Sequence, residues 1–196
     1  MENPLANLQR YNIRLASASP RRKELLSMLG IDFEVARGIA VDETYPPALS
    51  PDYVPEYLAR KKAAAYAAHA AADDLIITAD TVVILGGEVL GKPKNEEDAR
   101  LMLTQLSDRV HQVVTGVAVV ARGEIHSLSA STFVEFAPLT QEEITWYVKQ
   151  YLPLDKAGAY GIQEWIGAVG VSRIDGSFYN VMGLPVHRLF NLLKTL

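Results

Sequence analysis

The sequence predicts an α/β protein with a mixed, curved sheet flanked by helices around a cleft. Two observations set the class. Short apolar runs alternate with helical stretches along much of the chain, as in parallel crossovers. In the middle, two long runs rich in Val, Ile, Ser and Thr, His111 to Ala121 and Ile125 to Phe136, flank Arg122-Gly123 and read as an antiparallel pair. A third observation sets the size. At 196 residues, 49% hydrophobic and 21% charged, the chain can bury one large domain or two lobes.

The elements follow in order. Ile13 to Ser17 reads as a strand, Pro20 to Leu29 as a helix stopped by Gly30, and Phe33 to Ala36 as a second strand. A polar loop with Val41-Asp42-Glu43-Thr44 and Pro46-Pro47 leads to Ser50-Pro51, a cap-and-proline start for an alanine-rich helix ending near Ala72. Pro55 is tolerated early in that helix or resets its start. Leu75 to Ala79 is a short apolar strand ending in Asp80-Thr81, and Val82 to Leu85 with Glu88 to Leu90 form a hairpin about Gly86-Gly87. Asn95 caps an acidic-fronted helix to about Leu106, and Thr140-Gln141-Glu142-Glu143 is a capping box for a helix to about Tyr151. Ala168 to Ile174 is a strand, Asp175-Gly176 a turn, and Pro185 to Leu193 a terminal helix.

Composition excludes several functions. Without cysteine there is neither a disulfide framework nor a thiolate metal site. Met1 to Arg10 lacks the charge-then-apolar pattern of a signal peptide, and no apolar run spans a bilayer, so no membrane partner and a cytoplasmic location are expected. A net charge of −4 argues against a nucleic-acid partner and leaves small anions open. His69, His111, His126 and His187 lack metal-ligand spacing and are read as structural or surface residues. The P-loop, dinucleotide-binding and Gly-x-Ser-x-Gly motifs are missing.

Four segments could carry chemistry. Ser19 caps and Pro20 opens a helix whose unpaired first-turn N–H groups suit a phosphate, with Arg21 or Arg22 adding a bidentate hold; a plain capped helix with solvated cations fits the same residues. Asp80 follows an apolar strand directly, where ligands bind in α/β sheets, and the extended residues after it weaken a capping role. Lys92 stands between Gly91 and Pro93, held extended as a point charge. Gly158-Ala159-Tyr160-Gly161-Ile162-Gln163 combines glycines that allow close approach to a planar ligand with an amide that can read a base edge; a tight turn explains the glycines equally well. Glu43 and Lys62 read on their own as parts of solvated polar faces.

Together, Ser17-Ala18-Ser19-Pro20-Arg21-Arg22, Ala79-Asp80-Thr81-Val82-Val83, Gly91-Lys92-Pro93, Asp155 to Gln163 and Asn180-Val181-Met182-Gly183-Leu184-Pro185 resemble the Maf family of nucleoside triphosphate pyrophosphatases, from about Arg14 to the C-terminus. The resemblance implies one domain over 1–196 with 1–12 as an extension, and a two-lobed α/β fold similar to inosine triphosphate pyrophosphatases with the nucleotide in the cleft. It further implies a homodimer, and a reaction that splits a nucleoside triphosphate between its α and β phosphates with a divalent cation, Mg²⁺ or Mn²⁺. By motif position Asp80 becomes the proton acceptor and, with Glu43, a metal ligand. Lys62 and Lys92 complete the catalytic set, and Ser19 and Arg21 bind substrate.

The Ala159 to Gln163 form resembles the subgroup acting on dTTP and UTP, in which Arg21, Thr81 and Gln163 would govern base preference. The chain departs from that pattern at Glu164-Trp165, where glycine usually follows the glutamine. Alternatives are a 7-methyl-GTP pyrophosphatase and a nucleotide-binding regulator of cell division, the latter suggested by the family's association with septum formation.

Overall fold

A computed structural model describes residues 3–196, so Met1 and Glu2 of the expected extension lie outside the described residues. Seven strands, β1 (Asn12–Leu15), β2 (Glu34–Val35), β3 (Asp74–Leu85), β4 (Glu88–Leu90), β5 (Val110–Ala121), β6 (Glu124–Phe136) and β7 (Val171–Asp175), form one mixed sheet. Its order is β2-β1-β3-β5-β6-β7, with β4 paired to β3. The helices are α1 (Pro20–Ser27), α2 (Val54–Ala67), α3 (Glu96–Leu106), α4 (Gln141–Tyr151), α5 (Trp165–Gly170), α6 (Phe178–Met182) and α7 (Val186–Leu193). None is long and apolar enough to cross a membrane. The chain divides into two compact units, the first comprising the chain up to Asp80, Thr115–Ala130 and Gly183–Leu196, the second Thr81–Val114 and Ser131–Met182.

In the first unit β1 lies parallel to both β2 and β3, with Leu15 opposite Val35 and Ile77. Ala16 N–H continues the ladder to Ile77 C=O, so the chain leaving β1 runs on alongside the segment that leads to Asp80. Helix α2 packs on this sheet through small residues. Ala59 and Ala63 sit against Ala16, Ile76, Ala118 and Val120, and alanine at these places lets the helix come close. The approach is closest at Gly116 of β5, where a Cβ would lie 2.2 Å from Glu56 N and 2.3 Å from Pro55 C. Thr78 secures the contact from β3: its hydroxyl donates to Ala59 C=O at 2.8 Å, so this buried polar atom is satisfied.

Several boundaries differ from the sequence expectation. The helix expected from Ser50-Pro51 begins as a 3-10 turn over Pro51–Tyr53, and Pro55 falls in the first turn of α2, where its missing N–H costs nothing. That helix stops at Ala67, short of Ala72. Asp80-Thr81 does not end a strand: β3 runs unbroken for 12 residues, because the β-branched run that follows keeps the ladder going through the polar pair. The segment ahead of β1, read as a plain extension, forms a 3-10 turn over Ala6–Arg10 that buries Leu8. Asn7 and Arg10 bond Leu193 C=O and Leu196 C=O, which anchors the turn to the end of the chain.

In the second unit Gly86 and Gly87 both adopt positive φ and close the β3–β4 hairpin. Asn95 caps α3, and Thr140 with Glu143 forms the complete capping box of α4. The strand expected from Ala168 starts only at Val171; the residues before it are helix α5, because Gly167 comes so close to Ile162 C=O that a Cβ there would be 1.8 Å away. Short helix α6 occupies a stretch read as turns; there Asn180 donates to Val113 C=O and Thr132 Oγ1. His111, Phe136 and Tyr160 meet edge to face, with His111 Nε2 and Tyr160 Oη 2.7 Å apart.

Two consequences are measurable. Gly116→Ala forces a methyl into the backbone of α2, and urea denaturation is expected to show a loss of about 2–3 kcal/mol, the scale of an overpacked core. Burial pushes the His111 imidazole down to about 4, so the folded protein holds it neutral while the unfolded chain takes up a proton below about 6.5. Stability from this group is therefore complete above pH 6.5 and is lost as pH falls toward 4. Relative to His111→Asn, the wild type is expected to lose about 2 kcal/mol more between pH 7.5 and 5, read from urea midpoints.

Candidate active site

The loop between β1 and α1 is built around two serines. Ser19 is extended at φ −69°, and its hydroxyl accepts from Arg22 N–H at 3.5 Å as the N-cap of α1. Ser17 Oγ accepts from Ser19 N–H and from Arg22 Nη1, each at 3.3 Å. Arg22 Nε also donates to Gly183 C=O at 2.9 Å, so the guanidinium is built into the loop. Burial lowers the Arg22 pKa below its ordinary value, Asp80 opposes that shift, Arg21 reinforces it and Glu43 opposes it. Arg21, Glu43 and Asp80 are therefore all close enough to Arg22 to act on its charge. No acidic residue stands in the first turn of α1, which leaves this helix end positive.

Helix α2 brings the next group. Lys62 Nζ lies 2.7 Å from Asp80 Oδ1 and 2.8 Å from Glu43 Oε1, so one ammonium joins two carboxylates far apart in sequence. The local fold explains the meeting. Thr78 and Asp80 share a face of β3, Ala59 and Lys62 share a face of α2, and the Thr78–Ala59 bond sets one face against the other. Lys61, the neighbouring lysine, pairs with Asp42 at 3.2 Å and donates to Thr44 C=O at 3.0 Å. Consecutive lysines thus hold consecutive acids, and the loop that carries Glu43 is fastened at two points. The Thr44 hydroxyl and N–H bonds to Asp42, with Lys61 beside them, hold that carboxyl below its ordinary value.

Exposure separates the two carboxylates. The side chain of Asp80 is 15% exposed and that of Glu43 57%. Asp80 is also fixed in the middle of a strand, whereas Glu43 sits in a loop. Ser19, Arg21, Glu43, Lys62 and Asp80 all belong to the first unit, and the structure brings them together. Thr81, Lys92 and Gln163 belong to the second. Thr81 is partly buried in β3, Lys92 is exposed in the loop after β4, and Gln163 is exposed between Ile162 and Glu164.

The donor set available to the expected divalent cation is small. Among the described residues no group of three or more His, Asp or Glu side chains forms a protein cage. Asp80 and Glu43 offer hard carboxylate oxygens on either side of Lys62, whose ammonium engages one oxygen of each. Carboxylates are the usual protein ligands of a hard divalent cation, with phosphate oxygens and water completing its shell.

A sequence model of the family described as Maf-like protein matches residues 12–196. The chain belongs to the Maf family. Among its relatives are the dTTP/UTP pyrophosphatase of Phocaeicola vulgatus, 57% identical over 192 residues covering 98% of this chain and 100% of the relative, and that of Porphyromonas gingivalis, 56% identical over 97% and 96%. Among solved structures, the Ham1 protein of Staphylococcus aureus aligns with a TM-score of 0.48 at 21% identity, over 64% of this chain and 72% of that one. Within this Maf chain, sequence reasoning missed Ser17 as the acceptor that seats Arg22, and the cluster of Tyr147, Lys156 and Glu164. A serine two residues before a cap is a visible signal for the first. Nothing local signals the second, whose members meet only through the fold.

Proposed function

We propose that this protein is a nucleoside triphosphate pyrophosphatase that converts dTTP and UTP to the monophosphate and pyrophosphate. The observation that carries this reading is the Lys62 ammonium held between Asp80 and Glu43 next to the cationic start of α1. A triphosphate requires cations for its charge and one sheltered base for water, and phosphoryl transfer needs positioning and charge stabilisation above all. The relatives named dTTP/UTP pyrophosphatase support the substrate assignment.

In this reading Asp80 takes the proton from the attacking water as the phosphoanhydride between the α and β phosphates breaks. Lys62 orients the Asp80 carboxylate and offers charge to the phosphates. Arg21 binds phosphate oxygens together with the first-turn N–H groups behind Ser19. Lys92 adds a point charge, and Thr81 and Gln163 contribute to base preference. Asp80 and Glu43 would hold Mg²⁺ or Mn²⁺, which supplies charge neutralisation to the triphosphate when bound.

Two experiments test this. Pyrophosphate release across a nucleotide panel is expected to be fastest with dTTP and UTP; a panel dominated by 7-methyl-GTP, or tight binding without turnover, overturns the reading. Asp80→Asn keeps size and hydrogen-bonding reach but removes the base, so turnover at saturating substrate and metal is expected to drop by about 10²–10⁴-fold with the melting temperature nearly unchanged. Asp73→Asn is the control, since its exposed carboxylate bonds only the side chain of Asn12 among the contacts described, and it is expected to retain near-normal activity.

A further inference from the structure

Gln163 sits at the tip of a turn that Glu164 closes. Glu164 N–H donates to Gly161 C=O at 2.9 Å, which makes Ile162 and Gln163 the central residues of a four-residue turn. Both ends of the turn meet one hydroxyl. Gly161 N–H donates to Tyr147 Oη at 3.1 Å, and the Tyr147 hydroxyl donates to Glu164 Oε2. The other carboxylate oxygen, Glu164 Oε1, lies 3.1 Å from Lys156 Nζ, which also pairs with Asp155 at 2.8 Å.

Tyr147 is wholly buried and Lys156 nearly so, which makes this an ordered network rather than a surface ion pair. Burial, and after it the hydrogen bond to Glu164, hold the Tyr147 phenol above its ordinary value, so it remains a donor. A Cβ at Gly161 would lie 2.8 Å from the Glu164 carboxyl carbon and 2.9 Å from Gln163 Nε2, so both side chains lie close over the glycine. Gln163 itself is exposed and takes its place from the turn. Glycine at position 164 would leave Tyr147 and Lys156 without that carboxylate.

We propose that Glu164 is a positioning residue for base selection: its carboxylate, gripped by Tyr147 and Lys156, locks the Gly161–Glu164 turn and so presents the Gln163 amide to the edge of a pyrimidine. The inference rests on the reading of Gln163 as a base-preference residue. Glu164 touches neither phosphate nor attacking water in this scheme, so its effect falls on discrimination and not on the chemical step.

The test compares wild type, Gln163→Ala, Glu164→Ala, Glu164→Gln and Tyr147→Phe in steady-state kinetics on dTTP, UTP and dATP. Gln163→Ala is expected to narrow the kcat/KM ratio of dTTP to dATP by about tenfold. Glu164→Ala and Tyr147→Phe are expected to narrow it similarly, through a higher KM for dTTP, with kcat on dATP within about twofold of wild type. Glu164→Gln still accepts from Tyr147 and is expected to restore most of the ratio. In Gln163→Ala/Glu164→Ala the two effects are expected not to add, since one acts through the other.

A merely structural role would lower kcat on all three nucleotides and leave the ratio alone, which overturns the proposal. Should Glu164→Ala fail to fold, Tyr147→Phe carries the same test. A ratio lost in Gln163→Ala but kept in Glu164→Ala and Tyr147→Phe refutes the positioning role alone. A ratio kept in Gln163→Ala refutes the base-preference reading and the positioning role with it.

Discussion

The bond from the Thr78 hydroxyl to Ala59 C=O lies at the root of the charged cluster. It joins the centre of β3 to the middle of α2 at a place with no water to compete, and each partner has a reactive neighbour on the same face. One turn along the helix comes Lys62, and two residues along the strand comes Asp80. Gly116 contributes from beneath, because only a missing side chain lets the first turn of α2 lie on β5. Glu43 then joins from a loop, guided by its own contact with Lys62 and by the Lys61–Asp42 pair beside it. The cluster is thus two rigid elements in fixed register and one tethered loop, an arrangement that can hold a base in place while a more exposed carboxylate adjusts.

The local rules served the helices' beginnings well. Ser19, Asn95 and Thr140 cap the helices expected of them, since a cap depends on residues three positions apart. The Arg122-Gly123 and Gly86-Gly87 turns are equally visible through their glycines, although Arg122 takes positive φ as well, which its residue type does not announce. Failures occurred where packing overrode propensity. Ala168 to Gly170 look like the start of a strand, yet Gly167 presses on Ile162 and the chain coils there as α5. At Asp80 the reverse holds: a polar pair reads as an ending, but the strand runs on through it because the carboxylate is met by Lys62 from α2.

The same division runs through the site. Ser19 and Asp80 declare themselves by position, one before a proline at a helix start and the other after an apolar strand. Glu43 and Lys62 do not, because residues in polar runs look solvated until the fold shows what they face; their place in the sequence reading came from family resemblance alone. Tyr147, Lys156 and Glu164 escaped both routes. Tyr147 and Glu164 are 17 residues apart and meet across a helix and a loop, and no residue type among the three announces a partner.

The two kinds of construction suit two kinds of work. The residues around Asp80 are cations and carboxylates, whose attractions reach several ångströms and act on any triphosphate regardless of its base. Charge of that sort accelerates without discriminating. The turn carrying Gln163 is closed by directional hydrogen bonds at a buried phenol and by an ion pair with a nearly buried lysine, and a hydrogen bond weakens steeply as its angle bends. Discrimination between base edges needs that intolerance, because it depends on leaving a wrong partner unpaired. On the proposed reading of Gln163, its fixity must therefore come from the turn beneath it. An exposed amide on an unclamped turn would rotate to satisfy any base, and the carboxylate at 164 is the group placed to prevent it.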